Sequence, residues 1–143
     1  MQEGIDVMSP VRVLECIVVT PEATALKSPA QFIALPMYDG EIGIAPGHAP
    51  LIGRLGYGEM RLDEGNRHLR YYIDGGFVQV AGNMVSVMTS RAIPAEKLQA
   101  DVAAEQLQAA LAMPAAGEEQ IAKRQRAVNQ ARAQLRVAQR ASR

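Results

Sequence analysis

Asp39-Gly40-Glu41-Ile42-Gly43-Ile44-Ala45-Pro46-Gly47-His48-Ala49-Pro50-Leu51-Ile52 decides the reading of this chain. Three glycines and two prolines among these 14 residues exclude a helix. The apolar residues between them need burial, so the segment reads as a tight, rigid loop joining short strands. Asp39, Gly40 and Gly43 have turn chemistry. Glu41 and His48 are polar side chains on a rigid loop, which makes them available to a partner.

Outward from this loop, the first 93 residues read as all-β. Residues 11–19 are rich in β-branched side chains and end at Thr20-Pro21, a turn signal. Residues 32–37 and 57–62 are further candidate strands. Across 67–73, Leu69, Tyr71 and Ile73 alternate with His68, Arg70 and Tyr72. Asp74-Gly75-Gly76 is expected to turn or bulge the chain before a strand at 77–80, and Ala81-Gly82-Asn83 to turn it into a strand at 84–88. Short strands between turn signals predict a sandwich or barrel of antiparallel pairs.

The composition changes at Ile93-Pro94. From Ala95 onward Ala, Gln, Glu and Arg dominate, which favours helix. Pro94 suits a first helical turn. Met113-Pro114-Ala115-Ala116-Gly117 interrupts the pattern, and Glu118 and Glu119 suit the positive end of a second helix. The fold class is therefore α+β with two domains. An N-terminal antiparallel β-sandwich or barrel covers 1–93, and an antiparallel helical hairpin covers 94–143, with helices near 95–112 and 118–141. Ala100, Ala103, Ala104, Leu107, Ala110 and Leu111 share one face of the first helix. Ile121, Val128 and Leu135, with Ala131 and Ala138, form a seam on the second. Such alanine-rich faces bury little area, so the hairpin is expected to be loosely attached and mobile.

The chain has 15 basic and 15 acidic residues, a balance that gives no reason to expect nucleic acid. Their distribution is uneven: the last 24 residues hold seven basic side chains and no acid. Arg132, Arg136, Arg140 and Arg143 form a stripe roughly 80° wide with no acid four residues earlier. A solvated face is one reading; an acidic partner is the other. Cys16 is the only cysteine, excluding an internal disulfide, and reads as a small buried residue of the first strand. Glu3 and Asp6 stand where a secretory signal would be basic, and no apolar run is long enough for a bilayer, so a soluble chain is expected.

No catalytic constellation stands out. His48 and His68 lie in different elements without a second ligand at metal spacing, so no metal is expected. Ser86 and Ser90 lack a nucleophile elbow, and residues 53–58 lack the Gly-Lys-Ser/Thr ending of a phosphate loop. No carboxylate pair is placed for acid–base chemistry.

The opening segment resembles the GxLGIxPGHAPL signature of the epsilon subunit of bacterial F-type ATP synthases. Tyr72-Ile73-Asp74-Gly75-Gly76-Phe77-Val78-Gln79-Val80 is similar to that family's Y-x-x-GG-x-x-x-V segment. Asn83-Met84-Val85-Ser86-Val87-Met88 resembles its next strand, and Ala133-Gln134-Leu135-Arg136-Val137 the end of its second helix. The resemblance implies a non-catalytic rotor subunit whose sandwich docks on the gamma subunit and the c-ring. Asp39, Glu41, Ile44, Pro46, His48 and Pro50 would form the contact loop. It also implies a hairpin that folds down or extends along gamma. When extended, Lys123, Arg124, Arg126, Arg132, Arg136 and Arg140 would meet an acidic segment of the beta subunits, beside alpha, and block ATP hydrolysis. Some members hold ATP through an L/I-D-x-x-R-A motif. Here Gln99 and Val102 replace its acid and arginine, so no nucleotide site and no cofactor are expected there. The implied location is peripheral, on the cytoplasmic face of the bacterial inner membrane, in a proton-translocating complex. A plain structural coupler without inhibition remains the alternative. An adaptor binding nucleic acid through the basic helix is a remote one, since the arginines have no neighbouring aromatics.

Overall fold

The computed structural model describes residues 12–141. Glu3, Asp6, Val11 and Arg143, which entered the sequence argument, lie outside them. Eight strands come first: β1 (Leu14–Val19), β2 (Thr24–Ala30), β3 (Phe32–Met37), β4 (Gly40–Ile44), β5 (Leu51–Glu64), β6 (Arg67–Ala81), β7 (Met84–Met88) and β8 (Ala92–Pro94). A 3-10 turn (Ala95–Lys97) leads to helices α1 (Ala100–Leu111) and α2 (Glu118–Ala141).

Hydrogen bonding orders the strands β2-β1-β7-β6-β5-β3-β4, with β8 on β6. The ladder folds over on itself. Leu14, Cys16 and Val18 of β1 and Val85 and Val87 of β7 share one core with Ile33 and Leu35 of β3 and Ile44 of β4. These strands lie on opposite flanks of the order, so they can meet only if the flanks face each other as a sandwich. Each large apolar side chain buried this way contributes about 1.5–3 kcal/mol.

The fold-over is legible in side-chain parity. Along β6, Ile73 points into the core, and so do Val78 and Val80. Positions of odd and even number cannot share a face of one regular strand, so the pleat breaks between them. The break falls at Gly75 (φ 72°) and Gly76 (φ 108°). β5 makes the same switch between Leu55 and Met60. At Gly76 a side chain is excluded twice: the left-handed angle disfavours it, and a Cβ would fall on the carbonyl oxygen of Met88.

Several expectations are corrected here. Asp74-Gly75-Gly76 neither turns the chain nor bulges it, because β5 pairs with β6 from Leu51↔Val80 to Glu64↔Arg67 in one unshifted register and both strands bend there together. Not every pair is antiparallel: β1 runs parallel to β7, from Glu15↔Met84 to Val19↔Met88. The strand at 24–30, with Lys27 and Pro29 in it, gave no sequence signal. The opening loop contains a strand of its own, β4, paired with β3. The first helix starts late, because Leu98 and Gln99 are extended between the 3-10 turn and α1. The second helix matches its expected limits.

Helix α2 buries two sides. Val128, Ala131 and Ala138 are buried as the expected seam, but Ile121 is 51% exposed beyond the end of the packing. A second side, Ala133 and Val137, packs on Tyr72 and Ala95 of the sandwich domain.

Candidate docking faces and basic cleft

The turn after β4 is built tightly. The His48 amide donates to the carbonyl of Ala45 at 3.1 Å, and Gly47 adopts a φ of 87°. The Gly47 amide donates to Oδ1 of Asn83 at 3.0 Å, which braces this turn against the β6–β7 turn. Asp39 and Pro50 are exposed, and Pro46 and His48 are half-buried. The ring of His48 lies 2.7 Å from the carbonyl of Ala49 through Nδ1. Glu41 is exposed but engaged, accepting from Nη1 of Arg61 at 3.0 Å. Ile44 is the correction in this set. It is fully buried in the core and cannot touch a partner.

A neighbouring feature escaped the sequence argument. The register places Phe77 beside Met88, and Met88 beside Val19, across β6, β7 and β1. All three are solvent-exposed, as are Met84 and Ile52, the last at 76%. Apolar side chains in the outward phase of adjacent strands form a strip, not scattered singles. A signal for it exists: Phe77 shares its face with Gln79, opposite Val78 and Val80. The strip adjoins the braced turn through Asn83-Met84 and through Pro50-Leu51-Ile52.

The basic side chains of α2 divide into two groups. Arg124 donates to the carbonyl of Leu111 at 3.2 Å and closes the hairpin end of α1. Arg140 reaches the buried carboxylate of Glu59 at 3.4 Å, and the carbonyl of Arg140 accepts from Arg70 at 3.3 Å. Glu59 also binds Arg70 and Arg61, so three arginines converge on one carboxylate. A second set of bonds clusters at buried Asp74. It accepts from the Tyr72 hydroxyl at 2.5 Å, from Nε of Arg91 at 3.2 Å and from the Gln130 amide at 3.1 Å. Burial first, and this hydrogen bond second, push the Tyr72 hydroxyl far above its usual range. Lys123 is exposed, and Arg126, Arg132 and Arg136 form no ion pair among the described residues. These three line a cleft between α2 and the sandwich.

The missing nucleotide motif also has a place. Leu98, Gln99 and Val102 line a separate hollow of about 240 Å³, between the start of α1 and Arg91, Gln106 and Gln134. Among the described residues no three His, Cys, Asp or Glu side chains gather as a metal site. No helix among them is long and apolar enough to cross a membrane. Cys16 is buried in β1, and desolvation, with the charge of Glu15 adding to it, pushes its thiol up to about 12.

Residues 13–95 match the family model for the ATP synthase delta/epsilon chain, beta-sandwich domain. An ATP synthase epsilon chain of Rhodopirellula baltica is 50% identical over 124 residues, covering 87% of this chain and 97% of that one. The epsilon chain of Thermosynechococcus vestitus is 37% identical over 128 residues, 85% of this chain and 91% of its own length. For the epsilon chain of Desulfitobacterium hafniense strain Y51, 42% identity runs over 84 residues, 59% of this chain and 64% of the relative. Two solved assemblies share the fold. A chain of the Euglena gracilis mitochondrial ATP synthase (OSCP/F1/c-ring) superposes with a TM-score of 0.77 at 23% identity, covering 93% of this chain and 82% of that one. A chain of the Tetrahymena thermophila mitochondrial ATP synthase central stalk/c-ring gives 0.70 at 14% identity, covering 87% and 96%.

Proposed function

This chain belongs to the ATP synthase epsilon family, and from that premise we propose that it is a non-catalytic rotor subunit coupling gamma to the c-ring. Its place is the cytoplasmic face of a bacterial inner membrane, held there through the complex, which is proton-translocating. The sandwich supplies the docking face. Asp39, Glu41, Pro46, His48 and Pro50 ring the braced turn, and the strip of Ile52, Phe77, Met84, Met88 and Val19 adds the apolar area that a stable interface needs. Pre-bracing by Asn83 lowers the ordering cost of docking.

The hairpin supplies a brake on ATP hydrolysis through its basic second helix. One observation carries this reading: Arg126, Arg132 and Arg136 lie on one helix face with no acidic partner among the described residues. Guanidinium groups grip carboxylates with two-pronged bonds and keep their charge when partly desolvated. An acidic segment of the beta subunits would satisfy them once the hairpin extends. Adding the chain back to the epsilon-depleted catalytic complex tests this. The natural chain should slow hydrolysis, and the triple variant Arg126→Ala, Arg132→Ala, Arg136→Ala should bind equally well yet slow it far less. Equal slowing by both would remove these arginines from the brake, and no slowing by the natural chain would end the brake reading.

A second reading, a coupler whose hairpin stays down, has its own support. The Glu59–Arg140 and Asp74–Gln130 contacts hold α2 against the sandwich. Under that reading the natural chain and the triple variant bind alike and neither slows hydrolysis.

A further inference from the structure

The two oxygens of the Glu59 carboxylate, buried on β5, are held in different ways. Oε2 belongs to Arg70, through Nε at 2.6 Å and Nη2 at 2.5 Å. Oε1 is contested: Nη1 of Arg140 lies 3.4 Å from it, and Nη1 of Arg61 lies 3.5 Å from it. That same Nη1 of Arg61 is closer to Glu41, 3.0 Å from its Oε2, and Nη2 completes a two-pronged grip on Oε1 at 3.4 Å. The contacts therefore run Glu41–Arg61–Glu59–Arg140, from β4 beside the docking turn to the last turn of α2.

Two carboxylates serve three guanidinium groups along this path, Arg70 included. One positive charge is in excess, and the two arginines at Oε1 repel each other. Neither closes to the roughly 2.7–2.9 Å of a full charge-assisted bond, a length that Arg70 reaches on Oε2. What keeps Arg61 off Oε1 is its better hold on Glu41. Without that hold, Glu59 is the one acid left to it, and attraction to a buried carboxylate is only weakly screened. Arg61 is two residues from Glu59 on one strand and needs only a side-chain rotation to close on it. Arg140 reaches the same oxygen from the end of a separate element, with its side chain 53% exposed. Arg140 is the one displaced.

We propose that Oε1 of Glu59 is a switching point at which Arg61 and Arg140 compete. When a cationic side chain of a docking partner takes Glu41, Arg61 moves onto Glu59 and the end of α2 is released. The coupling is reciprocal. Departure of Arg140 leaves Oε1 to Arg61, which then loosens its grip on Glu41 and offers that carboxylate to the partner. Docking at the turn and release of the hairpin end thus favour each other through one shared oxygen. The partner's identity rests on the docking reading above; the competition at Glu59 does not.

Hydrogen exchange over 118–141 in the full-length chain tests the forward direction. Glu41→Gln removes the charge that restrains Arg61 and should quicken exchange about threefold. Arg61→Gln removes the competitor and should slow exchange. The double variant should follow Arg61→Gln, since nothing is left to displace Arg140. The reverse direction is read at Glu41 itself, by carbodiimide coupling to glycinamide and mass spectrometry. Arg140→Gln should raise labelling of Glu41 at least about twofold as Arg61 withdraws. That variant leaves every sandwich residue in place, so it decides the matter even where a sandwich variant melts early. Helix exchange unmoved by Glu41→Gln, or quickened by Arg61→Gln, overturns the proposal. So does a double variant as fast as Glu41→Gln alone, because Glu41 would then act without Arg61. Labelling of Glu41 unchanged by Arg140→Gln overturns it as well. Both readouts use the chain alone. Failure of the docking reading shows elsewhere, as Glu41→Gln docking on the gamma–ring assembly as tightly as the natural chain.

Discussion

The sandwich and the hairpin are held by different physics. Inside the sandwich, Leu, Ile, Val and Met from seven strands fill one core, and polar groups take part mostly as backbone pairs. The hairpin meets the sandwich through Tyr72, Ala95, Ala133 and Val137, flanked by polar clusters centred on Glu59 and Asp74. Apolar burial is non-directional and summed over many atoms, so it loosens only when the whole core opens. A polar contact is directional and exchangeable: water or another partner can replace each bond at modest cost. One polypeptide thus combines a body that changes as a unit with an arm whose attachment can be traded.

Substitutions can break or sharpen that contrast. The largest effect is expected at Gly76, where Ala meets both the left-handed backbone and the Met88 carbonyl. Gly76→Ala should cost at least about 3 kcal/mol of global stability, seen as a lower midpoint in urea. A variant as stable as the natural chain would show that the strand can relax there. Alkaline pH gives the next test, again of the body. Cys16 has its thiol raised from 9.0 to about 12 by burial, then by Glu15. The folded state keeps a proton that the unfolded chain releases, so this stabilisation is complete below pH 9 and is lost as pH climbs toward 12. Tyr72 acts in the same direction. Thermal midpoints should fall over that window, and Cys16→Ala should flatten part of the slope. An unchanged slope would remove the thiol from the account.

Glu59→Gln addresses the arm. It weakens the attraction for Arg140 while leaving the strand pairing in place, and exchange over 118–141 should quicken about tenfold with little shift in the main melt. A fall in the main melt with no faster helix exchange would instead make Glu59 part of the body. Asn83→Ala should have the smallest effect, about 1 kcal/mol or less, from loss of the acceptor for Gly47. Its sharper readout is weaker binding in the proposed docking on the gamma–ring assembly, since the turn would no longer be pre-braced.

The contrast also explains what the sequence could tell. Strand β3 and helix α2 are legible at their observed limits, because an unbroken apolar run and a shift in composition mark them. Strand β2 was not, since Lys27 and Pro29 break the pattern at an edge of the ladder, where only one neighbour constrains it. Gly75-Gly76 reads as a turn or a bulge; neither forms, because β5 arrives alongside in an unshifted register, a contact remote in sequence. Ile44 sat in a plausible contact motif, yet the alternation of β4 sends it inward. The arginine stripe was visible as a helical face, but its partition into Arg140 on Glu59 and Arg132 and Arg136 in a cleft required the sandwich beneath it. Ala133 and Val137 fall outside the single apolar seam that the sequence predicts, because the helix packs on two sides.

Strands β5 and β6, which run together from Leu51↔Val80 to Glu64↔Arg67, also have a mechanical meaning. The braced turn opens onto one end of this ribbon, and Glu59, Tyr72 and Asp74, where the hairpin rests, lie past its bend. A pull along the ribbon loads its hydrogen bonds side by side, so many must fail at once. A pull across one end would peel them singly. In the proposed rotor role, a part under torque benefits from the first arrangement, and the doubled strand would give this small protein a spine that carries twist from the turn to the seat of the arm.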